Sequence, residues 1–287
     1  MIESKTGKKR LPGWMKAELP HGKDYSRVKN LIAEYDLHTI CTSGNCPNKG
    51  ECWSRGTASF MILGEKCTRN CKFCSVLNVL PDSVDWKEPE RLAQTIKRLG
   101  LKHCVITSVA RDDLKDGGAA FWAKTIQCIK KVNPGTTIEA LIPDFNGNKT
   151  HLKKVIDEKP DVVSHNIETV NRLTPKVRSY ARYKRSLDVL EYISESGAVA
   201  KSGLMVGLGE TRAEVLQAMD DLREVKVKVL TIGQYLQPED HQLKVEEYIS
   251  PETFKYYETE GYKRGFSYVE SHPMVRSSYR AERHVFA

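Results

Sequence analysis

Short apolar, β-branched runs recur along the chain at residues 58–63, 103–109, 137–142, 161–167, 198–206 and 227–232. Each has the length and composition of a buried strand. Between them the spacing changes to that of amphipathic helices. Residues 118–132 place Phe121, Thr125, Cys128, Ile129 and Val132 on one face, and residues 89–99, 148–158, 184–196, 211–224 and 251–263 follow the same period. Pro89 and Pro251 stand where a first helical turn accepts proline. Six strand–helix units predict parallel strands joined by right-handed crossovers. That is fewer than the eight of a closed barrel. The expected fold is therefore α/β: an open, partial parallel β/α barrel over residues 58–264, with its working face at the strand C-terminal ends. Residues 1–57 and 265–287 break the rhythm and read as an N-terminal extension and an irregular C-terminal tail over the barrel mouth.

Composition narrows the class. Of 287 residues, 40% are apolar and 29% charged, which suits a globular core. No apolar run approaches the roughly 18 residues of a membrane span, and the N-terminus has no secretory h-region. A cytosolic protein without a membrane partner is expected. Net charge is +8, and residues 1–30 alone contribute +5 through eight basic and three acidic side chains. Such an arm suits an acidic partner, protein or nucleic acid, or is a solvated terminus.

Cysteine changes the picture most. Six of the eight cysteines lie between Cys41 and Cys74, and in a chain of this kind metal or redox chemistry outweighs disulfides. Cys67-Thr-Arg-Asn-Cys71-Lys-Phe-Cys74 is C-x3-C-x2-C directly after the first predicted strand. Three thiolates on one loop hold three irons of a four-iron cluster and leave the fourth open to an outside ligand, whereas full protein ligation uses four cysteines. Zinc is the competitor, but structural zinc takes four ligands, and each loop here supplies three. Cys41, Cys46 and Cys52 form the second triplet, C-x4-C-x5-C. Cys104, inside a strand, and Cys128, on a helix's apolar face, read as core. A zinc-ribbon-like nucleic-acid binder explains the charge and the cysteines but not the strand–helix units.

The first triplet, with Phe73 before its last cysteine, resembles the signature of the radical S-adenosylmethionine superfamily. That resemblance implies that the open iron is chelated by S-adenosylmethionine. One-electron cleavage would then give methionine and a 5′-deoxyadenosyl radical that abstracts hydrogen from an unactivated carbon. Over residues 35–283 the chain is similar to the lipoyl synthase family. The likeness is carried by Cys46-Pro47-Asn48, Gly56-Thr57-Ala58, Arg111-Asp112-Asp113-Leu114, His165-Asn166-Ile167-Glu168-Thr169 and Arg276-Ser277-Ser278-Tyr279.

The family resemblance implies two 4Fe–4S clusters. Cys67, Cys71 and Cys74 would hold the radical cluster. Cys41, Cys46 and Cys52 would hold an auxiliary cluster that is consumed as the sulfur source, with Ser278 as a weak, removable fourth ligand. Ser108, Asn166, Glu168 and Lys201 lie at predicted strand ends that face the barrel mouth, and with Phe73 of the signature loop they are assigned to S-adenosylmethionine. Ser277, in an extended tail, would face away from Ser278. The acceptor implied is an octanoyl chain on a lysine of a lipoyl carrier domain, in a 2-oxoacid dehydrogenase acyltransferase subunit or the glycine cleavage H protein. Sulfur would enter at carbons six and eight. An electron donor such as flavodoxin or ferredoxin, and an iron–sulfur carrier protein, complete the implied partners. Nucleic acid is not among them. The stretch 174–183 lacks the family's usual Pro-Gly pair, and its bases Lys176, Arg178, Arg182 and the adjoining Lys184 are candidates to face an acidic carrier.

Overall fold

The computed structural model describes residues 11–178 and 180–285. Its sheet runs in chain order. A two-residue strand β1 (His38–Thr39) pairs antiparallel with β2 (Ser59–Ile62). From β2 onward every pairing is parallel: β3 (His103–Ser108), β4 (Thr137–Leu141), β5 (Val162–Ser164), β6 (Val199–Val206), β7 (Val229–Gln234) and β8 (Tyr268–Ser271). The order is linear from β1 to β8, so the barrel is open, as expected. Strands covered on both faces need continuous apolar runs, and β7 is buried along its whole length.

The crossover helices are α4 (Glu88–Leu99), α5 (Ala119–Val132), α6 (Lys149–Ile156), α8 (Tyr183–Glu195), α9 (Arg212–Glu224) and α10 (Pro251–Lys263). Local chemistry sets their ends. Thr211 and Glu214 form a capping box on α9, and Ser250 caps α10 ahead of Pro251. Gly100 closes α4 in the left-handed region, at φ 70°. Each predicted strand and helix is present, with bounds shifted by at most three residues.

Two strands escaped the pattern. β1 is too short to show alternation. In β8 only Val269 is fully buried, so an edge strand with three partly exposed residues carries no apolar run. β8 lies inside what the pattern assigned to an irregular tail, so the sheet extends past the expected boundary at residue 264.

The N-terminal extension holds α1 (Gly22–Glu34), α2 (Ile40–Ser43) and α3 (Lys49–Ser54). Val28 and Leu31 bury the inner face of α1, and Trp53 of α3 packs on Tyr25 with ring centroids 5.5 Å apart. Gly50 is required there, because a Cβ would lie 2.3 Å from the Glu18 carbonyl oxygen. Of the basic arm, Lys5, Lys8, Lys9 and Arg10 fall outside the described residues.

Beyond β8 the tail turns back into the open side of the barrel. It crosses β7 at Gly233, where a Cβ would meet the Val275 carbonyl oxygen at 2.1 Å. The Ser59 hydroxyl donates to Ser278 at 2.7 Å, and Lys201 reaches His284. Side chains from β2 and β6, which are not neighbours in the sheet, meet one short segment. The tail therefore lies on the concave face.

Just past β2, Leu63 adopts φ 68°, a strained value for leucine. The buried Glu88 carboxylate accepts its N–H at 3.0 Å. Burial pushes the Glu88 carboxyl up to about 7, against the opposing Leu63 N–H. A raised folded-state value means stability that is complete below the unfolded value and is lost as pH rises toward about 7. Glu88→Gln keeps an acceptor but cannot ionise. Its thermal midpoint should match the parent near pH 5 and exceed it near pH 8, by up to ~3 kcal/mol of stability. Parallel melting curves for the two proteins across this range would remove the argument.

Candidate active site

The Cys67–Cys74 loop leaves β2 at the sheet's C-terminal edge and is closed at its neck. The Cys67 N–H donates to the Leu77 carbonyl at 2.8 Å, and Asn78 Nδ2 donates to the Cys67 carbonyl at 3.0 Å. The loop following β3 grips it from one side. Thr68 donates its N–H to the Ala110 carbonyl at 3.0 Å. Arg69 forms a bidentate pair with Asp112 at 2.8 and 2.7 Å and reaches fully buried Asp144 at 2.7 Å. Burial raises the Asp144 carboxyl, but Arg69 and His165 outweigh it and hold the group at about 2. On the other side Lys72 donates its N–H to the Val177 carbonyl at 2.9 Å, just ahead of Arg178, and Gln242 donates to the Cys74 carbonyl. The loop is thus clamped at five residues, Cys67, Thr68, Arg69, Lys72 and Cys74.

The thiols suit an anionic, metal-bound state. The N–H groups of Arg69 and Ala110 point at Cys67 Sγ, at 3.4 and 3.3 Å. Burial pushes Cys71 up to about 11 and Cys74 up to about 12, and each feels the other thiols of the triplet. Thiolates in this loop need a cation to stabilise them, and metal binding supplies it with proton release. Among the described residues no group of His, Cys, Asp and Glu converges on a single metal ion.

The second triplet is carried by α2, the following turn and α3. Cys46 donates its N–H to the Cys41 carbonyl at 3.2 Å. Burial and the neighbouring Cys41 and Cys46 push Cys52 up to about 12. The two loops meet where Ser75 donates to the Ser43 carbonyl at 2.7 Å. The tail closes over the second loop. Asn48 Nδ2 donates to the Met274 carbonyl at 2.6 Å, and the Tyr279 hydroxyl donates to Glu51 at 3.1 Å. Arg276 stands near Cys46, whose negative form would stabilise the buried guanidinium.

A cavity of about 1930 Å³ opens at the strand C-terminal ends. Cys41, Cys46, Cys67 and Cys74 line it from the two loops, and Ser277 and Ser278 from the tail. Phe73, Ser108, Asn166 and Glu168 also face it. Cys52 and Cys71 are not wall residues, but their thiols sit within electrostatic reach of their own triplets. The Ser108 hydroxyl accepts from the Trp122 ring N–H at 3.2 Å. Asn166 donates to Ser277 at 2.6 Å, while its buried Oδ1 has no protein partner. An acceptor so placed suits a ligand hydroxyl or ammonium. Glu168 is held at φ 66° by backbone bonds to Gly203 and Met205.

Four expectations change. Lys201 is not at the mouth: it is the third residue of β6, fully buried, with its ammonium bound to Glu139 and His284. Strand-end reasoning failed because it did not separate the N-terminal end from the C-terminal end. Ser277 does not face away from Ser278, because residues 277–280 form a turn and both hydroxyls line the cavity. Arg178 is buried, donating to the Ile167 carbonyl and the Ser186 hydroxyl, so it leaves the basic surface. Cys104 is core, but Cys128 is only partly buried.

Sequence patterns had no means to find Arg69, Asp112 and Asp144 as the loop's clamp. The available signal was an arginine between two cysteines of the C-x3-C-x2-C loop, with carboxylates just past the ends of the next two strands.

Residues 61–222 match the model of the Radical SAM superfamily, and residues 1–46 match that of the N-terminal domain of lipoyl synthase. Lipoyl synthase of Christiangramia forsetii is 54% identical over 285 residues, covering 99% of this chain and 97% of its own. The chain belongs to the lipoyl synthase family. Another member, the mitochondrial lipoyl synthase of Nematostella vectensis, is 54% identical over 96% of this chain and 94% of its own. Among solved structures, Streptococcus suis SuiB bound to S-adenosylmethionine superposes with TM-score 0.58 at 12% identity, covering 78% of this chain and 54% of that one. Methylornithine synthase does so with TM-score 0.52 at 12% identity, covering 85% and 82%. These two likenesses concern the partial-barrel fold.

Membership in the lipoyl synthase family makes the protein a radical S-adenosylmethionine sulfurtransferase. It forms the lipoyl cofactor on a lipoyl carrier protein, using S-adenosylmethionine and 4Fe–4S clusters. The zinc-ribbon reading is excluded by the same finding. No helix among the described residues is long and apolar enough to cross a membrane.

Proposed function

We propose that the two cysteine loops divide the reaction. Cys67, Cys71 and Cys74 hold the radical cluster. Cys41, Cys46, Cys52 and Ser278 hold the auxiliary cluster, whose sulfur enters the octanoyl chain at carbons six and eight. The observation that carries this reading is that Cys41 and Cys46 of one triplet, Cys67 and Cys74 of the other, and Ser278 line one cavity. When bound, the clusters supply a one-electron reductant for the sulfonium and a store of transferable sulfide. The chain's own work is positional. Phe73, Ser108, Glu168 and the unpartnered Asn166 Oδ1 form the wall against which S-adenosylmethionine is held. Lys201 drops out of that set. In domain terms, residues 1–57 carry the auxiliary loop, and the barrel that begins at residue 58 carries the radical loop. The tail motif follows β8 rather than residue 264.

The reading places the enzyme in the cytosol, with octanoylated acyltransferase and glycine cleavage H domains as acceptors. Flavodoxin or ferredoxin serves as donor, and an iron–sulfur carrier resupplies the auxiliary cluster. The decisive experiment is anaerobic iron and sulfide analysis, followed by mass spectrometry of an octanoyl-lysyl carrier peptide incubated with S-adenosylmethionine and reductant. Iron for a single cluster with full product would sink the division.

Carrier docking has its own test. With Arg178 buried, the basic surface is Lys176, Arg182, Lys184 and the N-terminal arm. Lys176 and Lys184 already face Glu246 and Asp188. Steering by such exposed charge raises association at low salt and is screened over roughly 10 Å near 0.1 M. Affinity for an intact acidic carrier should fall with salt more steeply than affinity for a short octanoyl-lysyl peptide. Equal slopes would remove the steering.

A further inference from the structure

The barrel holds one buried charge cluster that the reaction does not use. Lys201 Nζ donates to Glu139 Oε1 and Oε2 at 2.7 and 2.8 Å, and to His284 Nδ1 at 2.9 Å. Ser164 adds a fourth bond, donating to Glu139 at 2.8 Å. Lys201, Glu139, Ser164 and His284 are all completely buried. An ammonium has three N–H donors and no acceptor, so all three are spent. Two go to strand β4 and the third goes to the tail. His284 must accept through Nδ1, which makes it the neutral tautomer. Burial and the adjacent ammonium hold its ring far down, at about 2. The imidazole also packs on Tyr268 of β8, with centroids 4.8 Å apart.

This cluster lies at the opposite end of the tail from the cavity. Five to seven residues earlier in the chain the tail makes other contacts: Ser277 with Asn166, Ser278 with Ser59, Tyr279 with Glu51. Ala281, between the two ends, is buried. Without His284 the tail would be held by these part-buried bonds and by Asn48 on the Met274 carbonyl. With it, the tail also supplies the third acceptor of a buried ammonium, and an unmet donor on a buried charge is costly.

We propose that His284, seated on the Lys201–Glu139 pair, is a positioning residue for sulfur insertion: it sets where the tail lies, and so where Ser278 meets the auxiliary loop. The inference rests on the reading of Ser278 as a cluster ligand.

The test uses the full-length protein, prepared anaerobically, with His284→Leu and His284→Asn. Leucine fills the space without an acceptor, whereas the asparagine Oδ1 can occupy the place of Nδ1. Three quantities are read: hydrogen exchange of peptides across 274–285, iron per chain, and 5′-deoxyadenosine formed per lipoyl product. In His284→Leu the tail amides should exchange about tenfold faster or more, as loss of a hydrogen bond to a charged group implies. Amides of β3 to β7 should keep their protection. Deoxyadenosine should still form, with iron reduced toward that of one cluster and little product. His284→Asn should recover the exchange and the coupling. The double variant Lys201→Met/Glu139→Gln removes the charge pair without leaving either charge alone, takes the donor from His284, and should loosen the tail as His284→Leu does.

Unchanged tail exchange in both His284→Leu and the double variant overturns the proposal. So does a loosened tail with parental iron and product, if Ser278→Ala loses them. If Ser278→Ala also keeps iron and product, the ligand reading is what fails, and the positioning role built on it goes too. Exchange and the Ser278 control therefore separate the two failures.

Discussion

Replacing Cys67, Cys71 and Cys74 together by alanine is expected to abolish formation of 5′-deoxyadenosine, to the level of a blank without protein. Replacing Cys41, Cys46 and Cys52 is expected to leave deoxyadenosine formation largely intact and to stop sulfur insertion. The physical ground is that the two loops are held by different parts of the fold. The first is clamped by Arg69 on Asp112 and Asp144, and by the neck bonds to Leu77 and Asn78. None of these involves the N-terminal extension. The second is built from α2 and α3 and covered by the tail. Among the described residues the bond from Ser75 to Ser43 joins them, so loss of one triplet leaves the scaffold of the other in place. Liquid chromatography of deoxyadenosine and mass spectrometry of the carrier peptide, run on the same reaction, read the two steps. Lipoyl product from the second triple variant would end the assignment of the sulfur source.

Ser278→Ala is expected to keep cleavage of S-adenosylmethionine and to lose most sulfur insertion, with iron falling toward that of one cluster. Among the described residues the hydroxyl's partner is Ser59, and Ser278 lines the cavity that Cys41 and Cys46 also line. Ser278→Cys should retain the iron but turn over more slowly, because a thiolate binds iron more firmly than a serine oxygen does. Ser277→Ala should do something different. Its hydroxyl accepts from Asn166, whose other amide atom has no partner, so its loss should weaken S-adenosylmethionine binding rather than iron retention. The contrast is read as KM for S-adenosylmethionine against iron per chain. Iron loss in Ser277→Ala with full activity in Ser278→Ala would exchange the two roles. Full activity in both would remove the tail from ligation.

The repeating core of the fold was legible in the residues because its signals are local. A buried parallel strand must be apolar along its length, a crossover helix must show its period, and caps such as Thr211 with Glu214 act within four residues. The cysteine triplets were legible for the same reason: the members of each stand within a few residues of one another. Edge strands β1 and β8 were not, since one side of an edge is free of the packing that imposes a pattern. Nor were the contacts that bring the site together. Arg69 with Asp144, Ser59 with Ser278, and Lys201 with His284 lie 75, 219 and 83 residues apart. Nothing local distinguishes Lys201, at the sheltered start of its strand, from a lysine at the mouth. Likewise Arg178 reads as one more surface base until the fold buries it against Ser186. The amino-acid sequence by itself determined which chemistry the chain can hold, through residue type and short spacing. Tertiary structure alone decided which side chains face the cavity and which anchor the tail, because the direction of a side chain depends on strand polarity and closure, and those are set only when distant segments pack.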